Sequence, residues 1–400
     1  MHWVIRGGQG PCAYLRVEIG MQRGMRIGWS VEGQRVREYE HGAIKPHLPL
    51  AGKSRQTAHM SSRIPGHIRD DVRASMHIER TAIHIRPALR GAITTAGLVA
   101  LAVGFGHPTA AIPLAIGALF AFLAEGQEVL GRRLRIMLWT SVWLGVGTLL
   151  GGLASNAVFI GLALSIALAF LCGFVGAAGS RAALAGVFSL VVFTIALGNP
   201  VTPRQALLGA VLIMAGALVQ TAVTAVAVRQ PWQVDHPDPI RQRLAHHHSL
   251  RDRFVRHGVR LALAIGIATV ISEVWTFPHS YWIPMTVAWI TRPDSDGTVS
   301  RIVGRLIGTI LGLFAVWVIF SVFPVNDAGV VAIVLLTAFL AATFIVANYG
   351  LAVVGITSLV VTLFTLIGDP VEQTAPWRMV ATLVATAIII PIAAVGRAER

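Results

Sequence analysis

The sequence is short of charge. Only 13% of its 400 residues are Asp, Glu, Lys or Arg, about half the share that clothes a soluble domain, so an ordinary soluble protein is excluded. Lysine is nearly absent: Lys45 and Lys53 are the only two, and every basic residue beyond them is Arg. Cysteine is equally scarce. Cys12 and Cys172 stand far apart, which implies neither a disulfide framework nor a thiolate metal site. There is no GxxxxGK[ST] loop to cradle phosphates, so ATP is not the expected driver. No nucleophile–base pair stands in motif context, and an enzyme is not expected. No basic n-region leads into an apolar h-region, so no signal peptide is expected.

What the chain has in quantity is apolar sequence. Hydrophobic residues make up 54% of it and the mean hydropathy is +0.67. From Leu89 to Val228, and again from Gly258 to Val395, apolar runs of membrane-spanning length are broken only by short polar loops. A helix needs about 20 such residues to cross a bilayer. The pattern predicts an all-α polytopic membrane protein with spans at 88–104, 109–124, 136–154, 157–176, 181–197 and 206–228. A second set is expected at 258–274, 280–291, 302–323, 328–347, 349–367 and 377–396. Residues 1–85 carry no such run and are expected to be mostly disordered. Translation starting at Met60 or Met76 is an alternative for that segment. Residues 229–257 are expected to join the two sets as a cytoplasmic helix entered at Asp238-Pro239.

A net charge of +14 invites a nucleic-acid reading, but the distribution of Arg favours topology instead. With the segment before the first span inside, eighteen Arg fall on the cytoplasmic side and two, Arg204 and Arg378, on the outside. The positive-inside rule then puts both termini in the cytoplasm. The two sets of six also look like copies. At an offset of 170, Arg90 meets Arg260, Pro108 meets Pro278, Arg135 meets Arg305 and Asn156 meets Asn326. Leu197-Gly-Asn-Pro-Val201 likewise meets Ile367-Gly-Asp-Pro-Val371. Six is an even number, so residues 86–228 and 258–400 are expected to be parallel six-helix repeats about an axis along the membrane normal.

Short, Pro-interrupted spans at matching places in two repeats point to a transport site. The second span carries Pro113 and Gly117, and the eighth, with Pro284, offers about twelve apolar residues. The ninth begins with Asp294, Asp296, Arg301 and Arg305. Two Arg four apart share a helix face and can grip a carboxylate; setting topology or pairing with the two Asp are the competing roles. Gly304, Gly308 and Gly312 form a row that lets another helix pack closely. Glu273 is the acid placed most like a membrane one, and His107 and His279 flank the same face. Glu125 and Glu128 are expected to form salt bridges with the Arg cluster at 132–135. The run His246-His247-His248 is not expected to bind metal, since consecutive helical residues diverge by about 100°.

Tyr281-Trp-Ile-Pro-Met-Thr-Val-Ala-Trp-Ile-Thr-Arg-Pro-Asp294, followed by Thr298 and by Arg305-Leu-Ile-Gly-Thr-Ile-Leu-Gly312, resembles the signature of the fusaric acid resistance (FUSC-like) integral membrane transporter family. The resemblance implies a bacterial inner-membrane protein that exports aromatic carboxylic acids at the expense of the proton gradient. Carried over residue by residue, it implicates Trp282, Pro284, Arg305, Gly308, Thr309 and Gly312. The sequence departs from the family in lacking a large cytoplasmic domain between the halves, and its first half has Arg135 followed by Trp139. Together these readings make Arg301, Arg305, Trp282, Trp289, Pro284 and Thr309 the expected substrate-binding residues. Glu273 is the expected proton carrier, with no metal and no cofactor. The partners expected are the bilayer, a small organic anion and protons, with homo-oligomerisation open and nucleic acid excluded. A passive organic-anion channel and a non-transporting scaffold for cell-envelope proteins are the alternatives.

Overall fold

The computed structural model describes four strands within residues 2–38. From residue 78 on it describes all but 231–242, 245–246, 248, 250–251, 276, 293–294, 323–324 and 399–400. The chain divides into two compact units, Met1–Ser62 and Arg63–Arg400. In the first, β1 (His2–Ile5) pairs antiparallel with β2 (Leu15–Glu18), and β3 (Gly28–Val31) with β4 (Gln34–Glu38). The expectation of disorder over 1–85 falls mostly on residues outside the described ones. Leu15-Arg-Val-Glu18 does alternate apolar and charged residues, a period-2 signal too short to stand out.

The second unit contains twelve α-helices among its described residues. They are α1 (Ile85–Gly104), α2 (Pro108–Ala124), α3 (Leu130–Ala154), α4 (Val158–Phe174), α5 (Ser180–Leu197) and α6 (Pro203–Ala227). Then come α7 (Arg253–Val274), α8 (Trp282–Ile290), α9 (Ser295–Val322), α10 (Asp327–Phe344), α11 (Tyr349–Thr365) and α12 (Val371–Ala398). Each coincides with an expected apolar run. Among the described residues nine helices are long and apolar enough to cross a membrane, and α2 and α11 are apolar but shorter. The chain is a multi-pass membrane protein. The expected linker helix beginning at Asp238 lies largely outside the described residues.

Polar turns set where the helices begin. Thr202 and Gln205 form a reciprocal capping box ahead of Pro203, which satisfies amides that no helical carbonyl can reach. Asn326, Asn348 and Asp252 accept backbone N–H bonds at the starts of α10, α11 and α7. Pro284 is the third residue of α8, inside the first turn, where a missing N–H costs no helical bond. So α8 is a short helix that starts with Pro, not a longer one broken by it. At 1.5 Å per residue its nine residues cover about 13 Å of a hydrocarbon layer of about 30 Å.

The packing within 86–228 recurs within 258–400. Helix α3 packs on α5 and α6, and α9 packs on α11 and α12; α2 meets α6 as α8 meets α12; α4 meets α5 as α10 meets α11. Contacts between the halves recur too, with α4 against α7 and α10 against α1. Helices approach closely where Gly removes the side chain. A Cβ on Gly117 would collide with the carbonyl of Ile213, and one on Gly216 with that of Leu114, so α2 and α6 touch backbone to backbone. The row Gly304, Gly308, Gly312 does the same for α9 against Tyr349, Gly350 and Val354 of α11.

One end of the first half is tied by ion pairs. Glu125, after α2, binds Arg90 of α1 and Arg133 of α3 and accepts from Thr224 of α6. Glu128 pairs with Arg181 at 2.8 Å. Burial pushes the Glu128 carboxyl up, but the Arg181 hydrogen bond and charge outweigh it and hold it below the usual carboxylate range. Both acids expected to pair do so, Glu125 with Arg133 of the neighbouring cluster and Glu128 with Arg181.

Filling the α2–α6 contact should be costly. Gly216→Val is expected to lose about 2 kcal/mol of stability in detergent unfolding. Gly97→Val, where an added Cβ meets nothing within 4 Å, should change stability by a small fraction of that.

Candidate functional site

Two guanidinium groups sit inside the second half with no partner among the described residues. Arg305 and Arg378 are each 0% exposed, and among the described residues no nitrogen of either side chain has a hydrogen-bond partner. They come from opposite directions in the chain. Arg305 lies ten residues into α9 and Arg378 seven residues into α12, or about 15 Å and about 10 Å along their helices. The two groups lie within electrostatic reach of each other. Arg378 rests over the Trp282 ring at 5.0 Å, a cation–π contact that recovers part of what was lost with water.

Arg378, assigned to the outer side by the charge count, lies within α12 and is enclosed. One Arg at the head of an apolar run looks topogenic in sequence; only the packing of α12 on α8 and α9 turns it inward. Arg301 also departs from expectation. It donates to the carbonyl of Trp289 at 2.8 Å and lies over the Tyr349 ring at 4.3 Å. It therefore caps the C-terminal end of α8, where a cation is favourable, and the electrostatic neighbour of Arg305 is Arg378.

Unsatisfied hydroxyls gather on the same helices. A buried helical Thr ordinarily donates to the carbonyl four residues back, as Thr382 does to Arg378 and Thr386 to Thr382. Thr309, one turn beyond Arg305, does not; nor do Thr286 of α8 or Thr357 and Thr362 of α11. The Tyr349 hydroxyl is buried and unpartnered as well. Buried donors without acceptors are costly, and here several occur on four helices that pack on one another. The arrangement suits an acceptor-rich guest.

Aromatic rings line the approach. Trp282, buried to 1% exposure, stacks on His279 at 4.6 Å and meets Phe364 edge-on at 5.6 Å. Phe277 stacks on Trp377 nearby. Trp289 belongs to a different cluster: its ring packs on Phe120 and Phe188 of the first half. Pro284 contributes to the start of α8 and offers no polar contact. Glu273, the expected proton carrier, is second from the end of α7 and exposed. His107 is exposed as well.

The turn between α7 and α8 is held by both copies of the repeated turn motif. Asp369 meets His279 Nε2 at 3.3 Å, and its counterpart Asn199 lies within electrostatic reach of Tyr281 while donating to the Ile195 carbonyl. A Cβ on Gly198 would collide with Tyr281. His279 itself has φ of 61°, uncommon for a residue other than Gly. No group of His, Cys, Asp or Glu able to hold a metal occurs among the described residues; His247 instead pairs with Asp252 at 2.8 Å. Asp294 lies outside the described residues, as does the side chain of Asp296, and with them their expected pairing with Arg301 or Arg305.

Residues 267–392, which include Trp282, Arg305, Thr309 and Arg378, match the fusaric acid resistance protein-like family. The Escherichia coli inner membrane protein YccS is 30% identical over 146 residues, 36% of this chain and 20% of that protein. The uncharacterized protein YhfK of the same organism is 30% identical over 146 residues, 36% of this chain and 21% of its own length. A third relative, slr1298 of Synechocystis, is 28% identical over 154 residues, again 36% of this chain and 19% of its own. The chain thus aligns with about a fifth of the length of the curated relatives it matches. No solved structure matches it.

An unpaired buried charge costs several kcal/mol, and replacing buried charges with apolar groups of similar size often stabilises a protein by about 1 to 4 kcal/mol. Arg378→Met and Arg305→Met are each expected to raise the unfolding temperature of the unliganded protein in detergent. A fall would mean that the guanidinium has an internal partner.

Proposed function

We propose that the chain is an inner-membrane secondary transporter that exports small organic anions, aromatic carboxylates above all. The observation that carries this reading is the pair of buried guanidinium groups without a counter-ion. A carboxylate between Arg305 and Arg378 would neutralise both, and Thr309 and Tyr349 would supply further donors. The face of Trp282 and the edge of Phe364 suit an aromatic ring attached to that carboxylate. The match of residues 267–392 to the fusaric acid resistance protein-like family, and the inner-membrane relative, support the same assignment.

The reading includes twelve crossings arranged as two parallel six-helix repeats with both termini in the cytoplasm. In support, the helix contacts of one half recur in the other, and the contacts between halves exchange as a twofold axis requires. The site is asymmetric within that frame. In the ungapped register Arg378 has Leu208 as counterpart and Trp282 has Ile112, so the anion is held by the second half alone. No chemical step on the substrate is involved.

Uncoupled conduction is the second reading, favoured by the exposure of Glu273, which leaves the expected proton carrier outside the site. Efflux of labelled benzoate from liposomes containing the protein tests both readings. Accumulation driven by an imposed pH gradient and abolished by a protonophore is expected of the transporter; flux that only dissipates the benzoate gradient would mean a channel. In either case Arg305→Gln should lower flux at least about thirtyfold, the factor for about 2 kcal/mol lost at a buried charge pair, with membrane insertion intact. Wild-type flux in that variant would refute the site.

A further inference from the structure

Proton coupling needs a titratable group that senses the anion, and Glu273 is not placed to do so. His279 is. Its ring stacks on Trp282 at 4.6 Å and 26°, and Arg378 lies 5.0 Å from the centre of the same indole. The imidazole and the guanidinium thus share one indole as a neighbour and lie within electrostatic reach of each other. Its Nε2 lies 3.3 Å from Asp369. Its Nδ1 lies 3.3 Å from the Tyr281 hydroxyl. The left-handed backbone at His279 and the edge of Phe364 at 4.6 Å fix the ring in that position. The charged groups facing it are Asp369 from the turn before α12, Arg378 from α12 and, within its own turn, the ionisable Tyr281; Phe364 is what α11 presents.

We propose that His279 is the proton site coupled to the anion site, so that protonation of its imidazole and anion binding at Arg378 favour each other. The inference rests on the anion reading of Arg305 and Arg378. A carboxylate oxygen can only accept, so in the neutral ring Nε2 carries the hydrogen toward Asp369 and Nδ1 accepts from Tyr281. The incoming proton goes to Nδ1, and the Tyr281 hydroxyl turns to accept it. In the empty site the positive charge of Arg378 opposes that proton. A bound carboxylate cancels the charge and leaves Asp369 to stabilise the imidazolium. Reciprocity then requires that the protonated ring strengthen anion binding by the same factor. Burial, and then Arg378, hold His279 below its ordinary value against the pull of Asp369. The ring is therefore neutral at pH 7 with the site empty, and the coupling appears as pH falls.

The test uses the full chain in lipid nanodiscs with benzoate, which stays ionised throughout, from about pH 8 to about pH 5.5. Benzoate affinity is expected to tighten about fivefold or more as pH falls. In His279→Asn, chosen because Asn tolerates the left-handed backbone, the pH response should vanish. A wild-type pH profile in that variant, or a flat profile in the wild-type protein, overturns the coupling. If Arg305→Gln and Arg378→Gln bind benzoate as well as the wild-type protein does, the anion reading is what fails. A second measurement needs no ligand. The His279 resonance, identified by its absence from the histidine-labelled NMR spectrum of His279→Asn, should titrate at higher pH in Arg378→Gln. An unchanged titration there overturns the inference whether or not benzoate binds.

Discussion

Two guanidinium groups enclosed without a counter-ion among the described residues are the constraint around which the second half of this protein is built. Water solvates such a charge far better than protein does, and only a compensating partner makes burial tolerable. Here the compensation is incomplete. One indole face lies against Arg378, and the nearby hydroxyls of Thr309 and Tyr349 are donors that need partners of their own. The rest of the fold holds this arrangement in place. The glycine row of α9 brings it against α11, α8 stays short and buried among its neighbours, and the backbone contact of α2 with α6 gives the first half a rigid counterpart.

The comparison between halves makes the point sharper. In the first half three helices converge on Glu125, which answers Arg90 and Arg133 directly. The residue 170 positions on from Glu125 is Ser295, and the one matching Arg133 is Val303. At those positions the second half lacks that lock, and it carries two buried Arg that no acid answers among the described residues. A charge neutralised by the chain ties helices together; a charge left open is available to a ligand.

Much of this was legible in the sequence because membrane spans are written in long apolar runs, and all twelve helices fall where those runs do. Trp282, Arg305 and Thr309 were legible as well, since they belong to a local pattern around one short span. Arg378 was not. Its neighbours in sequence say only that an apolar helix begins there, and its direction depends on how α12 lies against α8 and α9. The exposure of Glu273 was not legible for the same reason, because its apolar neighbours suggested burial while it stands on the last turn of α7. The two repeated turn motifs were visible as a repeat, but nothing in their spacing said that Asn199 and Asp369 would both reach the turn carrying His279 and Tyr281.

The central claim, that a carboxylate sits between Arg305 and Arg378, is tested most directly by a structure of the protein in nanodiscs with 4-iodobenzoate. The account predicts density for the carboxylate bridging the two guanidinium groups, with the ring against Trp282. Iodobenzoate bound elsewhere, with both Arg paired to a carboxylate of the chain itself, would contradict it.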